Sequence, residues 1–202
     1  MEKKETLWIF DAGHGGILAG EYMTPPEDGR YVEYDDFTIY EGEVVRRLAS
    51  YISSKAKKEG IKTLFIDTQM CLPLSLRVDI ANDIYLRYHK SVFVSLHSNM
   101  GKGNGVEIFT SIGKTKSDDY ATGFMECFAE DFPYIKQRHD WSDGDCDKEA
   151  DFYILKNTIM PAFLFELLFI DNYREAQLLK DDSFLMAVSN TFIKFLTKYD
   201  KL

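Results

Sequence analysis

Five short runs in the sequence are built almost wholly from apolar, β-branched and aromatic residues: LWIFDAG, KTLFID, SVFVSLH, GVEIFT and AFLFELLF. A strand with one wet face alternates apolar and polar residues, so runs apolar at nearly every position call for a sheet buried on both sides. The segments between them supply the cover. EGEVVRRLASYISSKAKKEG places Val44, Val45, Leu48, Tyr51 and Ile52 on one helical face and stops at Gly60. LSLRVDIANDIYLRY repeats that period, SDDYATGFMECFAEDF reads as a third helix, and SFLMAVSNTFIKFLTKY as a last one. Strand and helix in alternation predict an α/β fold, a single domain with a mainly parallel mixed sheet covered by helices on both faces.

Two stretches break the rhythm. Gly20 to Tyr40, with Pro25, Pro26 and Gly29, and Pro133 to Ala150, with QRHDWSDGDCDKEA, both read as long loops. Loops of that length in a compact domain serve a function or stay disordered. No repeat or linker divides the 202 residues, so residues 1–202 read as one domain with no second module.

Charge and composition narrow the partners. With 24 basic and 33 acidic residues the formal charge is −9, which excludes nucleic acid as a partner and gives no help toward anionic membranes or wall polymers. No apolar run reaches the roughly 18 to 20 residues that span a bilayer, so no stable membrane anchor is expected. MEKKETLWIF is interrupted at Asp11, too early for the roughly 7 to 15 apolar residues of a secretory signal. The chain is expected to be cytoplasmic as synthesised, and action beyond the cytoplasm then needs another route of release. Cys71, Cys127 and Cys146 are odd in number and scattered, as expected of free thiols in a reducing compartment.

Of four histidines, His14 and His97 follow apolar runs directly, in LWIFDAGH and SVFVSLH. Ligand sites of open α/β sheets form beyond the carboxyl ends of the strands, where imidazoles on different strands can converge. Glu166 is a third polar intrusion, inside AFLFELLF, and a carboxylate there needs a partner or a task. Taken singly, each has a plain structural explanation: a satisfied histidine, a glycine turn, a salt-bridged acid. Three at one sheet edge make a catalytic zinc set, two imidazoles and one carboxylate with a position left for water or substrate. Glu166 is either the carboxylate ligand or the general base beside the metal; periodicity does not separate the two.

The ordered set DAGHGG, YEGEVVRRLASYI, LSLRVDIAN, SLHSN, GVEIF and PAFLFELLFIDN resembles the zinc-dependent N-acetylmuramoyl-L-alanine amidases of the amidase-3 type. KEADFYILKNTIMPAFLFE and the long Gly20 to Tyr40 connection are similar to the bacteriophage endolysin branch. The resemblance covers nearly the whole chain. It implies one Zn2+ ion held by His14, Glu41 and His97, Glu166 as catalytic acid/base, and peptidoglycan as substrate. It also implies release to the cell wall, through a separate membrane pore protein in the phage case. Glu41 rather than Glu43 matches the family's spacing of eight residues before a helical alanine, here Ala49, and two helical residues two apart point about 200° apart. Family members often carry glycine near the catalytic glutamate where this chain has Leu168. A zinc peptidase cutting the stem peptide, or a non-catalytic wall-binding domain of the same fold, are the competing readings.

The remaining polar residues receive lesser expectations. Asp11 either orients His14 or caps the turn through its own backbone. Asn99 and Asn172 fix loops, and Arg77 pairs with a carboxylate. His139 is a solvated loop residue that can also touch the peptide stem. His89, ending a helix, complements its dipole.

Overall fold

The structure, a computed structural model, describes residues 5–66, 68–142 and 144–200. The elements run β1 (Leu7–Ala12), β2 (Ile17–Leu18), β3 (Glu21–Tyr22), β4 (Tyr31–Glu33), β5 (Thr38–Tyr40), α1 (Glu41–Glu59), β6 (Thr63–Ile66) and α2 (Leu74–Tyr88). There follow β7 (Ser91–Asn99), β8 (Glu107–Thr110), α3 (Lys116–Asp131), β9 (Lys148–Glu149), α4 (Tyr153–Asn157), β10 (Ala162–Phe169), α5 (Tyr173–Lys180) and α6 (Asp182–Tyr199). The five apolar runs become β1, β6, β7, β8 and β10, which with β9 form one sheet in the order β6-β1-β7-β10-β8-β9. All its pairings are parallel except β10 with β8.

Strand alternation sorts the side chains into two cores. Trp8, Phe10, Val92, Val94, Leu96, Phe163 and Phe165 pack with α1, α3 and α6 on one face. Ile9, Phe93, Ala162 and Leu164 pack with residues of α2 and α4 on the other. Carrying this period of two to the strand ends places Asp11, His97 and Glu166 all on the α2 face.

The Gly20 to Tyr40 connection is more ordered than its composition suggests. It holds β3, a 3₁₀ turn at Pro26–Asp28 and an antiparallel hairpin of β4 with β5. That hairpin delivers the chain to Glu41, the first residue of α1. The Pro133 to Ala150 stretch is largely irregular but contributes β9 to the sheet edge. Asp67 of KTLFID and Asp143 of the second loop lie outside the described residues, as do residues 1–4. The three cysteines are free. Among the described residues no helix is long and apolar enough to cross a membrane.

Candidate metal centre

His14 follows β1 in a turn that sterics disfavour. Its φ is +57°, a left-handed conformation uncommon outside glycine. Two arginines hold it: Arg46 from α1 and Arg77 from α2 each donate to the His14 carbonyl, at 2.9 and 2.7 Å. Arg46 also donates to the carbonyls of Gly13 and Gly42. The glycines around His14 are required by close approach. A Cβ at Gly13 would lie 2.6 Å from both ring nitrogens of His97. Backbone strain kept in place by this many contacts is a mark of a functional site.

Glu41 enters from the start of α1 and is 1% exposed. Its Oε1 lies 2.9 Å from His97 Nδ1 and 3.3 Å from His14 Nε2, and accepts the backbone N–H of Ser98 at 3.2 Å. His14, Glu41 and His97 each offer a ligand atom, and those atoms lie within 4.8 Å of one another. Glu43, by contrast, faces Arg47 at 3.6 Å on the helix flank. The donor set fits a divalent transition metal with an open position. Glu41 Oε2 supports the fit, being buried with no hydrogen-bond partner.

The electrostatics suit the same use. Burial pulls the His14 imidazole below its ordinary pKa, favouring the neutral form that ligates. Burial alone would raise the Glu41 carboxyl, but its hydrogen bonds to the two histidines prevail and hold it well below the usual carboxylate range. His97 is likewise lowered by burial, yet the adjoining Glu41 wins and its pKa rises.

Glu166 is the register partner of His97 across β10 and β7. It has no ion pair among the described residues, and its Oε2 is buried without a hydrogen bond. Burial first, then repulsion from Glu41 and Glu107, pushes its pKa up to about 7 against the attraction of His97 and Arg30. Just beyond it β10 breaks register: a bulge lies between Glu166 and Phe169, with Leu168 at φ +57°. Leu168 therefore takes a backbone conformation that glycine adopts freely.

The lesser expectations sort cleanly. Asp11 does not reach His14. Its carboxylate is held by Arg77 Nη1 at 2.5 Å and Ser95 Oγ at 2.9 Å, because strand alternation turns it toward α2. Arg77 thus has its carboxylate. Asn99 donates to Glu107 and accepts from the Met100 N–H, while Asn172 caps α5 and donates to the Gly103 carbonyl. His89 is the αL cap of α2. His139 sits 3.3 Å from the Cys146 carbonyl, with its ring against Trp141, outside the metal group.

Two features near the centre escaped the sequence reading. Glu107, buried opposite Glu166, is gripped by Arg138 and Lys148. An acid inside the apolar run GVEIFT carries the same signal that singled out Glu166. Arg30 reaches the site from the short link between the 3₁₀ turn and β4, where no periodicity marks it.

Comparison with known proteins identifies the family and the fold. The Amidase_3 family, N-acetylmuramoyl-L-alanine amidase, matches residues 9–198. The endolysin of Bacillus phage SPP1 is 32% identical over 184 residues, 91% of this chain and 61% of that protein. A sporulation-specific N-acetylmuramoyl-L-alanine amidase of Bacillus subtilis is 27% identical over 90% of this chain and 63% of its own length. The chain thus spans under two thirds of these relatives. In fold it resembles an N-acetylmuramoyl-L-alanine amidase from Clostridium difficile 630, with TM-score 0.79 and 20% identity over 98% of this chain and 97% of that one. It also resembles the catalytic domain of CwlV from Bacillus (Paenibacillus) polymyxa, with TM-score 0.72 and 23% identity over 96% and 97%.

Proposed function

Because the chain belongs to the Amidase_3 family of N-acetylmuramoyl-L-alanine amidases, we propose that it hydrolyses the amide joining the muramic acid lactyl group of peptidoglycan to L-alanine. The metal is Zn2+, with His14, Glu41 and His97 as its ligands. When bound, zinc supplies Lewis acidity to the amide carbonyl and to the attacking water.

Glu166 performs the proton transfers. Its carboxylate takes a proton from the water as the water oxygen adds to the lactyl carbonyl carbon. It returns that proton to the alanine nitrogen as the C–N bond breaks, so the products are a lactyl carboxylic acid, which loses its proton to the free α-amine or to water, and that amine. A carboxyl poised near 7 can both accept and give at neutral pH. The observation that carries this reading is the register pairing of Glu166 with His97, which sets the partnerless acid beside the metal group.

The likeness to the SPP1 endolysin favours a lysis enzyme, synthesised in the cytoplasm and acting on the wall after release. The test is a digest of purified peptidoglycan, read by product mass, with a chelator and with zinc restored. Free L-alanine amines, lost with chelator and regained with zinc, are expected. A new D-amino terminus would identify a stem peptidase instead, and no cleavage a binding domain.

A further inference from the structure

Arg30 stands at the metal centre with no hydrogen-bonded partner for its side chain among the described residues. Its backbone is fixed on both sides, the carbonyl accepting from Tyr22 Oη and from the N–H of Glu41, each at 3.0 Å. The Arg30 backbone is thereby tied to the residue that opens α1. Yet Nη1 lies 3.9 Å from Glu41 Oε2, beyond hydrogen-bond range, and Nε is buried with no partner. Leaving a buried donor unmade is costly, and a guanidinium fork is built to take a carboxylate through two parallel bonds.

The cavity here, about 390 Å³, has a mixed lining. Arg30 and His14 contribute polar groups, and Leu72, Pro73 and Leu74 contribute apolar surface. Asp28 also lines the cavity, but no ion pair joins it to Arg30 among the described residues. A ligand suited to this lining carries a short apolar group and a carboxylate close together.

We propose that Arg30 binds the free α-carboxylate of the D-glutamate that follows L-alanine in the stem peptide, and so selects stems in which this group is not amidated. This rests on the amidase reading above. The D-glutamate is joined onward through its side chain, so its α-carboxylate hangs free, one residue from the bond cut. From the scissile carbonyl carbon to that carboxylate carbon is two residues, about 7 Å when extended, which keeps the anion within reach of a guanidinium beside the metal ligands.

The test compares muramoyl-L-alanyl-D-glutamate with muramoyl-L-alanyl-D-isoglutamine, which differ by one carboxylate against one carboxamide. The zinc-loaded wild type should favour the carboxylate roughly tenfold or more in kcat/KM, through KM. Arg30→Ala should raise KM for that substrate to the value for the amide, with kcat and zinc content retained. Arg30→Lys should keep part of the preference as a point charge. Equal loss of kcat on both substrates would place Arg30 at the scissile carbonyl, and loss of zinc would make it a support for Glu41; either overturns the proposal. Calorimetry with the dipeptides L-alanyl-D-glutamate and L-alanyl-D-isoglutamine does not depend on turnover. Equal binding by the wild type overturns the proposal. Carboxylate preference without hydrolysis of either muramoyl substrate would instead overturn the amidase reading while supporting Arg30 as the anion receptor.

Discussion

Glu107 and Glu166 face each other across the antiparallel pair β8–β10, and the protein treats the two carboxylates in opposite ways. Glu107 receives Arg138 Nε at 2.6 Å and Lys148 Nζ at 2.5 Å. Burial alone would raise its pKa, but those cations prevail and lower it. Glu166 receives no cation at contact distance and rises to about 7. Environments that drive paired acids apart suit them to different roles: Glu107 stays ionised as structure, and Glu166 fits the proton exchange proposed for it.

Glu166→Gln tests that division. Gln keeps the shape but cannot move a proton, so cleavage should fall by roughly 10²- to 10⁴-fold while zinc content is unchanged. The carboxyl is raised in the folded chain, so its unfavourable contribution grows as pH climbs through about 7. The metal-free variant should therefore melt above the metal-free wild type at pH 8, and the two should converge near pH 4. Full-rate lysis by the variant would remove Glu166 from the mechanism.

What the sequence made legible follows from the physics of each segment. Runs such as SVFVSLH announce buried strands at every position, and His97 stands out because it ends one. The β4–β5 hairpin escaped because each strand is three residues long and partly exposed. α4 and α5, at five and eight residues, are too short to display a helical period. Sequence leaves Asp11 orienting His14 or capping the turn through its own backbone; its pairing with Arg77 instead depends on which face the strand presents. Leu168 shows a further limit. Sequence marks it as a departure from glycine, while its φ of +57° and 1% exposure show a backbone penalty offset by buried apolar surface.

Gly13→Ala should damage the metal group without touching a ligand. The added Cβ would lie 2.6 Å from the His97 ring nitrogens, and His97 has Glu41 at 2.9 Å on Nδ1. The ring must turn away, so zinc affinity should drop by about 10- to 100-fold, as when a ligand loses its orientation. Metal analysis after dialysis against graded chelator reads this directly. His97→Ala and His14→Ala should lose zinc outright; stoichiometric metal in both would refute the ligand set.

Arg77 and Asp11 form an ion pair only 3% and 1% exposed, and Arg77 also donates to the carbonyls of Leu72, Ala12 and His14. Arg77→Ala leaves a buried carboxylate and three carbonyls short of a donor. It should cost about 3 to 5 kcal/mol in denaturant unfolding. The double variant with Asp11→Ala should be less destabilised than the sum of the single changes, since the second substitution removes the stranded charge. Strict additivity would show that the two residues do not act as a pair.

Asp147 gives a pH-dependent stability prediction. It is 2% exposed, accepts from Thr110 Oγ1 at 2.6 Å, and leaves Oδ1 buried without a partner. Burial, reinforced by Asp145, raises its pKa to about 7 despite the Thr110 bond. An unfolded aspartate titrates near 3.9, so between about 4 and 7 the folded chain holds a proton the unfolded chain has released. Stability from this group is therefore full below about 4 and is lost as pH rises through 7. Asp147→Asn replaces the protonated acid by a neutral isostere that still accepts from Thr110. Its melting temperature should exceed that of the wild type by a few degrees at pH 8, since about 1 kcal/mol moves a domain of this size by roughly 2 to 4 °C. At pH 5 the gap should shrink, because the wild-type carboxyl is then protonated; a gap equal at both pH values would show that Asp147 titrates in its ordinary range.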